Sequence, residues 1–236
     1  MQARVLFVGI GLTHYYNQVL NRLQTDLGVE IHNVVATRGP GHAGEGVFQT
    51  ERGVAFQVVR LRELVVPPYY RSFLGLAGAI RSLAPQIVVA NADYLNALAL
   101  DPLLRSALRR SGARLIVKSI PFRLARYEAC LATLGKGPMA LVRRALLEAR
   151  AATYRAADAH VNYVDDAVDL YGSYGVPPER IFVTGNSPDT DRLLLARERI
   201  AAAPPILVPN DHRLIHVGRL VPWKRVDLLI QALVRV

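Results

Sequence analysis

Two glycines between an apolar run and a helix start are the first residues whose types and spacing could do chemistry. Gly9 and Gly11 end the apolar run that begins after Arg4, and they precede Thr13 and His14. Glycine lets the backbone approach a ligand closely, and a helix N-terminus supplies free N–H groups and a positive dipole. The sequence predicts a turn that faces an anionic ligand, with a tight strand-to-helix turn without a ligand as the alternative.

Polar side chains follow a second apolar run at the equivalent position. Asn91 and Asp93 come directly after residues 87–90. Ligands of open parallel sheets bind beyond the carboxyl ends of the strands, so both residues are expected to face one cleft with His14. His14 could act there as a base or hydroxyl partner, which makes these three the weak catalytic candidates. Asn and Asp are also common helix caps, and His14 could be an ordinary first-turn residue.

A third candidate site lies near the end of the chain. Gly218 and Arg219 follow residues 214–217, and Lys224 comes shortly before a helical pattern. The helix dipole disfavours cations at a helix start. The planar fork of arginine and the point charge of lysine both suit a diphosphate. The mismatch with the dipole therefore favours an anion site at Arg219 and Lys224.

Other motifs are weaker. A dinucleotide fingerprint needs a third glycine where this chain has His14, and an acidic residue near the position of Arg38, although an arginine could accept a 2′-phosphate. Asp189 and Asp191 have the spacing of a metal-nucleotide motif, but they lie in a predicted linker, where a turn or cap role is favoured. No Cys/His cluster has metal-ligand spacing.

Composition narrows the class of protein. The 236 residues are 51% hydrophobic and 20% charged, which is typical of a globular chain. The single Cys130 cannot form an internal disulfide, which favours a reducing compartment. No apolar run reaches about 18 residues, and the N-terminus lacks a signal-peptide pattern. The net charge of +10 favours an anionic partner. Nucleic acid is disfavoured, because the basic residues are not interleaved with aromatics along strands.

Apolar runs alternate with helical patterns along the chain. This alternation predicts an α/β fold: a Rossmann-like parallel β-sheet flanked by helices on both faces, with a short βα stub of a second domain. Helices are expected at about 70–83 and 94–110, and a strand at 214–217. The predicted domains are 1–185, a linker at 186–209 and the start of a second domain at 210–236.

Residues 217–230 (VGRLVPWKRVDLLI) closely resemble the opening of the donor-binding domain in family-four retaining glycosyltransferases of the GT-B fold. The usual pattern there is Gly-Arg-Leu-x-x-x-Lys-Gly, followed by an apolar helix. Residues 181–193 resemble the Pro-Asn-Gly-Val-Asp interdomain segment of that family, and residues 157–158 and 174–177 also fit.

The chain departs from the family pattern at several positions. Gly185 replaces the usual proline, and Ser187 and Pro188 replace Gly-Val. Arg225 stands where the pattern has its second glycine, and Asn91 stands where the family often has histidine.

The resemblance implies an acceptor-side domain of an enzyme that transfers a hexosyl group from a nucleotide-sugar to a glycan or lipid-linked acceptor. Arg219 and Lys224 would bind the donor diphosphate, Gly9 and Gly11 would face the cleft, and neither a cofactor nor an obligatory metal is expected. The family's carboxylate motif and nucleoside pocket would lie beyond Val236, so the chain alone is expected to be inactive.

Three further expectations concern partners and location. A cytoplasmic protein is expected, and its positive charge could hold it peripherally on the anionic inner face of the membrane. The C-terminal stub could mediate self-association. The alternatives from other classes are a Rossmann-type NAD(P)-binding oxidoreductase domain and a non-catalytic binding module.

Overall fold

The structure is a computed structural model that describes residues 2–37, 47–67, 70–120, 124–185, 190–205, 207–208, 210–218 and 220–233. Its centre is a seven-stranded parallel sheet in the order β3-β2-β1-β6-β7-β8-β9. The strands are β1 (Arg4–Val8), β2 (Glu30–Ala36), β3 (Gln57–Leu61), β6 (Ile87–Asn91), β7 (Arg114–Lys118), β8 (Ala159–Asn162) and β9 (Ile181–Val183). A separate antiparallel hairpin joins β4 (Glu63–Val66) to β5 (Tyr70–Phe73). The α/β fold with a Rossmann-like sheet is confirmed.

The described helices divide unequally between the two faces of the sheet. They are α1 (His14–Leu27), α2 (Leu76–Leu83), α3 (Leu95–Leu100), α4 (Pro102–Ser111), α5 (Tyr127–Ala132), α6 (Pro138–Ala156), α7 (Asp166–Ser173), α8 (Thr190–Ala201) and α9 (Val226–Leu233). The larger core cluster contains buried residues from α2, α3, α4, α6 and α7. The smaller cluster, on the opposite face, contains Leu20 of α1 and Phe56. Helix α1 connects β1 to β2 in one direction along the sheet, whereas α2, α3 and α4 belong to connections that run in the other direction. The two sets of helices therefore lie on opposite faces, as right-handed crossovers require.

The helix expected at about 70–83 is a strand followed by a shorter helix. Residues 70–73 pair with β4, and Gly75, at φ +87°, begins α2. The Arg71 guanidinium donates to the Glu63 carboxylate across the hairpin at 3.0 Å. The partner of residues 70–73 is the strand just before them, and a helical pattern within 70–83 does not record that pairing.

The single helix expected at 94–110 is broken in two. Asp101 is extended (φ −69°, ψ 120°) and precedes Pro102, which lacks an N–H group and disfavours the helical conformation of the residue before it. Asp101 then caps α4, because its Oδ1 accepts hydrogen bonds from the backbone N–H groups of Leu103 at 2.8 Å and Leu104 at 3.2 Å. The other carboxylate oxygen accepts the Tyr70 hydroxyl at 3.1 Å.

Asp101→Ala should lower the free energy of unfolding by about 1–2 kcal/mol, because it removes the cap and leaves the Tyr70 hydroxyl without this acceptor. Chemical denaturation measures the change. Asp101→Asn keeps an acceptor oxygen at the cap and should cost less than half as much. Equal losses in the two variants would show that the side-chain oxygen does not provide the stabilisation.

In the C-terminal region, the expected strand at 214–217 is absent, whereas the expected helix is present. Residues 210–218 contain no strand, since an extended segment becomes a β-strand only by pairing and none of the described strands pairs with it. A single 3₁₀ turn at Pro222–Lys224 then leads into α9, so the predicted helix is present. Helix α8 lies inside the predicted linker, and its large apolar side chains Leu193, Leu194, Leu195 and Ile200 are exposed. The proposed domain boundaries stay predictions.

The longest helix in the described ranges is α6, with 19 residues and several arginines. Neither it nor any other helix described here combines the length and the apolar character needed to cross a bilayer.

Candidate functional site

The candidate site lies at the edge of the sheet where its parallel strands end. The chain leaves β1 towards β2 on one side, whereas β6 pairs with β1 on the other side, so a topological switch point lies between β1 and β6. Val8 is in register with Ala90, which places the Gly9 turn beside Asn91. Crevices at such switch points are the usual ligand sites of open α/β sheets. Two of the segments predicted to hold site residues are therefore neighbours.

Gly9 has a packing reason to be glycine. Its φ is +74°, and a Cβ atom built on it would lie 1.9 Å from Cε2 of Tyr94. The ring of Tyr94 is fully buried and stacks on Phe73 with ring centroids 5.0 Å apart. Gly9 thus provides space for an aromatic side chain of the core. Its role in facing a ligand stays a prediction.

Gly11 and His14 occupy the rest of the turn. Gly11 has φ +77°, and its carbonyl oxygen accepts a hydrogen bond from the buried side chain of Asn33 at 2.8 Å. His14 is exposed, with its ring 5.4 Å from that of Tyr15 and 6.0 Å from that of Phe48. The described residues offer no hydrogen-bond partner that would orient the imidazole as a base. Its catalytic role also stays a prediction.

Asn91 and Asp93 form a short cap after β6. The Asn91 side-chain oxygen accepts a hydrogen bond from the Asp93 backbone N–H at 3.3 Å and begins the 3₁₀ turn Ala92–Tyr94. Asn91 is partly buried and Asp93 is exposed. Asn91 therefore acts as a cap, which was one of the two alternatives that the sequence allowed. Both residues also lie at the same edge of the sheet as Gly9.

A charged network anchors the hairpin to this edge. The Tyr94 hydroxyl donates to the Glu63 carboxylate at 2.5 Å, and Arg71 pairs with the same carboxylate oxygen at 3.0 Å. Burial, followed by the hydrogen bond to Glu63, raises the pKa of Tyr94, so its hydroxyl remains a donor. Each polar group here has a partner, which indicates a structural role for the network.

A lysine and three tyrosines form a second polar cluster along the same edge, and sequence reasoning missed it. Lys118 is the last residue of β7, in register with Asn91 of β6. Its Nζ lies 4.9 Å from the ring centroid of Tyr16 and 4.6 Å from that of Tyr163. Tyr15 lies within electrostatic range of both Lys118 and Tyr16. We call Tyr15, Tyr16, Lys118 and Tyr163 the lysine–tyrosine cluster.

The electrostatics of this cluster follow from burial. Burial lowers the pKa of Lys118, and the nearby Tyr15 acts in the opposite direction. Burial, then Tyr163 and Tyr15, raises the pKa of Tyr16, and burial also raises the pKa of Tyr163. The hydroxyls of Tyr16 and Tyr163 therefore stay neutral at physiological pH and place no negative charge beside Lys118. The signal in the sequence is that Lys118 directly follows the apolar run 115–117, at the strand end where ligands bind.

The donor-binding residues expected near the C-terminus are only partly described. Arg219 lies outside the described residues, whereas Lys224 is exposed at the end of the 3₁₀ turn. Arg225 has φ +49° and ψ 41°, the left-handed conformation, and its guanidinium pairs with Asp227 at 3.1–3.3 Å. A shallow groove of about 520 Å³ is lined by Leu220, Val221, Pro222, Arg225, Val226 and Asp227.

Possible metal and nucleotide ligands can be placed only in part. In the described ranges, no group of three or more His, Cys, Asp or Glu side chains could hold a metal ion. Arg38 and Asp189 fall outside these ranges. Asp191 lies in the first turn of α8, and its carboxylate is 3.4 Å from the guanidinium of Arg22 in α1. The expectation that no metal is obligatory stays a prediction.

Comparison with known proteins finds similarity in structure only. No family model matches the chain, and no curated protein matches it in sequence. Solved structures that resemble it include Arabidopsis thaliana UGT89C1 complexed with UDP-L-rhamnose (10% identity, TM-score 0.38) and Medicago truncatula UGT71G1 complexed with UDP-glucose (10% identity, TM-score 0.42). A wide-type short-chain dehydrogenase/reductase from Veillonella parvula in complex with NADP also resembles it (14% identity, TM-score 0.36).

The alignments with the two plant proteins cover most of this chain but a much smaller share of the plant proteins. The aligned part covers 87% and 86% of this chain but only 55% and 58% of the two plant glycosyltransferases, so the chain spans little more than half their length. For the dehydrogenase the coverage is 70% of each chain. Similarity this low concerns the fold alone, and it does not discriminate between glycosyl and hydride transfer.

Proposed function

We propose that this chain is the acceptor-side domain, with the first donor-binding residues, of a GT-B glycosyltransferase. The enzyme would transfer a hexosyl group from a nucleotide-sugar to a glycan or lipid-linked acceptor. The observation that carries the proposal is the backbone of Arg225. The family pattern has glycine at this position, and the chain here adopts the left-handed conformation that glycine favours.

The ion pair with Asp227 supports this interpretation. A left-handed conformation costs a non-glycine residue roughly 1–2 kcal/mol. Arg225 remains in that conformation while its guanidinium meets the Asp227 carboxylate through both Nε and Nη2. Hydrogen bonding to Arg225 lowers the pKa of Asp227, so the carboxylate is ionised and holds the turn in place. The turn that precedes α9 therefore has a left-handed residue at the position where the family pattern has glycine.

The proposed chemistry follows from charge. In glycosyl transfer, the bond from the anomeric carbon to the donor phosphate breaks and a bond to an acceptor hydroxyl oxygen forms, while the hydroxyl proton is released. Negative charge develops on the departing diphosphate. Arg219 and Lys224 precede α9, whose N-terminus adds a positive dipole, and together they would stabilise that charge. The apolar side chains of α9 would then pack within the donor-binding domain.

Binding of a diphosphate tests this proposal directly. In calorimetric titrations, the chain should bind UDP-glucose more tightly than glucose. Lys224→Ala and Arg219→Ala should each weaken UDP-glucose binding by about tenfold or more, because each removes a charge-assisted hydrogen bond. Lys136→Ala is the matched control, because Lys136 is exposed and lies far from Lys224 in the sequence, and this variant should bind UDP-glucose as the unaltered chain does. Unchanged affinity in both cation variants, or no binding at all, would overturn the proposal.

The oxidoreductase alternative is tested in the same titration. A nicotinamide-binding domain should bind NADPH and should be insensitive to Lys224→Ala. The third position of the dinucleotide fingerprint is His14, and the Tyr94 ring fills the space beside Gly9. We therefore expect NADPH to show no advantage over a simple nucleoside diphosphate.

A further inference from the structure

We infer that Lys118 forms an oxyanion subsite that binds a phosphate or carboxylate group carried by the acceptor. The inference rests on the proposed function, because that function supplies an acceptor that would enter the cleft of this domain. It identifies the acceptor as acidic and names the residue that would select for that charge.

The first observation is convergence. Lys118 ends β7, Tyr163 follows β8, and Tyr15 and Tyr16 begin α1 directly after the glycine turn. Three separate segments thus bring the lysine–tyrosine cluster to the ligand-binding edge of the sheet. Asn91 lies in register beside Lys118 and provides a further polar group on β6. The cluster is continuous with the switch point between β1 and β6.

The second observation is charge balance. Arg71 and Arg114, which also belong to strands, meet the carboxylates of Glu63 at 3.0 Å and Asp158 at 2.9 Å. Among the residues that the structure describes, Lys118 has no carboxylate partner, and its Nζ lies over the rings of Tyr16 and Tyr163. A ring face attracts a cation but does not neutralise it, and buried charges in proteins are usually paired. An oxyanion from a ligand would complete the pair.

The third observation concerns the shape of the ligand. Tyrosine rings present flat apolar faces with a hydroxyl at the rim, which suit packing against a sugar ring. Tyr15 is 52% exposed, and Tyr16 and Tyr163 are partly buried. An ammonium group behind such rings fits a sugar that bears an anionic group better than it fits a free ion. The donor diphosphate already has assigned cations at Arg219 and Lys224, so Lys118 is left for the acceptor.

Three probes that differ in charge test the subsite. In NMR or calorimetric titrations, glucose 1-phosphate and glucuronate should bind more tightly than glucose. Lys118→Met, which keeps an unbranched apolar stem and removes the ammonium group, should weaken binding of the anionic probes by about tenfold or more. Lys118→Arg should restore affinity to within a few-fold, and Lys136→Met should leave it unchanged. A preference for one anionic probe distinguishes a phosphate from a carboxylate ligand.

A second measurement avoids any dependence on how a variant folds. The chain contains only Lys118, Lys136 and Lys224, so acetylation of each amine can be followed by peptide mass spectrometry. Glucose 1-phosphate should slow acetylation of Lys118 but not of Lys136. Equal protection of both lysines, or equal affinity of Lys118→Met and the unaltered chain, would overturn the inference.

The two proposals can fail separately. If UDP-glucose binds through Lys224 but no anionic sugar binds through Lys118, the acidic acceptor is wrong and glycosyl transfer stands. If an anionic sugar binds through Lys118 and UDP-glucose does not bind, the subsite is real and the donor assignment is wrong.

Discussion

Gly9→Ala should lower the free energy of unfolding by about 2–5 kcal/mol, the largest effect that we expect from a single methyl group in this protein. Two costs combine. Alanine at φ +74° is strained, and its Cβ would meet the ring of Tyr94 at 1.9–2.7 Å. Tyr94 cannot move aside easily, because it is fully buried, stacked on Phe73 and hydrogen-bonded to Glu63.

Gly53→Ala separates these two costs. Gly53 has φ +75°, but a Cβ built there meets no atom within 4 Å. Its replacement should therefore cost only the backbone strain, about 1–2 kcal/mol. Urea denaturation of both variants gives the steric part as the difference. Combining Gly9→Ala with Tyr94→Ala should cost less than the sum of the single changes, since the clash is then absent. Equal losses in Gly9→Ala and Gly53→Ala would contradict the packing argument.

Acidification should weaken the fold through His160. This residue of β8 is fully buried against the rings of Tyr154 and Tyr171, with centroids at 6.2 and 4.6 Å. Its Nε2 donates to the Tyr154 carbonyl oxygen at 2.9 Å, and Nδ1 has no partner among the described residues. Burial lowers the pKa of His160, with the backbone hydrogen bond acting in the opposite direction. The folded protein therefore holds the neutral imidazole.

The sign of the effect follows from this shift. The unfolded chain takes up the proton near its ordinary pKa of about 6.5, whereas the folded chain does so only at lower pH. The contribution of neutral His160 is fully present above pH 6.5. It is lost as the pH falls from there towards the folded pKa, at up to about 1.4 kcal/mol per pH unit.

Denaturation curves at several pH values from 7.5 to 5 measure this dependence. His160→Gln keeps a donor for the Tyr154 carbonyl but does not titrate, so its unfolding free energy should fall less steeply with acid. His14→Gln, which replaces an exposed histidine, is the matched control for the loss of one imidazole. An unchanged slope in His160→Gln would show that another group is responsible.

The sequence by itself determined the class of fold. The apolar runs that become β1 and β2 are buried on both faces of the parallel sheet, whereas those of β6 and β7 alternate buried residues with residues that are at most partly buried. Such runs have a strong local pattern. The helix after Lys224 was equally clear from its apolar spacing. Both signals lie within a few adjacent residues, so they can be read without knowing what packs against them.

Some features were visible as alternatives that only the structure could separate. Gly9 is compatible with either a ligand or a tight turn, and the contact with Tyr94 supplies a packing reason that the sequence could not. Asn91 could cap or face a cleft, and its hydrogen bond to the Asp93 backbone shows the cap.

Tertiary structure alone decided the remaining features. The contact between Gly9 and Tyr94 and the lysine–tyrosine cluster join segments that are far apart in the chain. The hairpin of β4 and β5 is local, but Tyr94 and its hydrogen bond to Glu63 connect it to a later segment. Local periodicity records which face of an element is apolar, but it does not record which elements meet. The register of β7 beside β6 and β8, together with the packing of α1, brings the Lys118 Nζ over the rings of Tyr16 and Tyr163. That pairing of distant residues arises from the packing of the whole sheet.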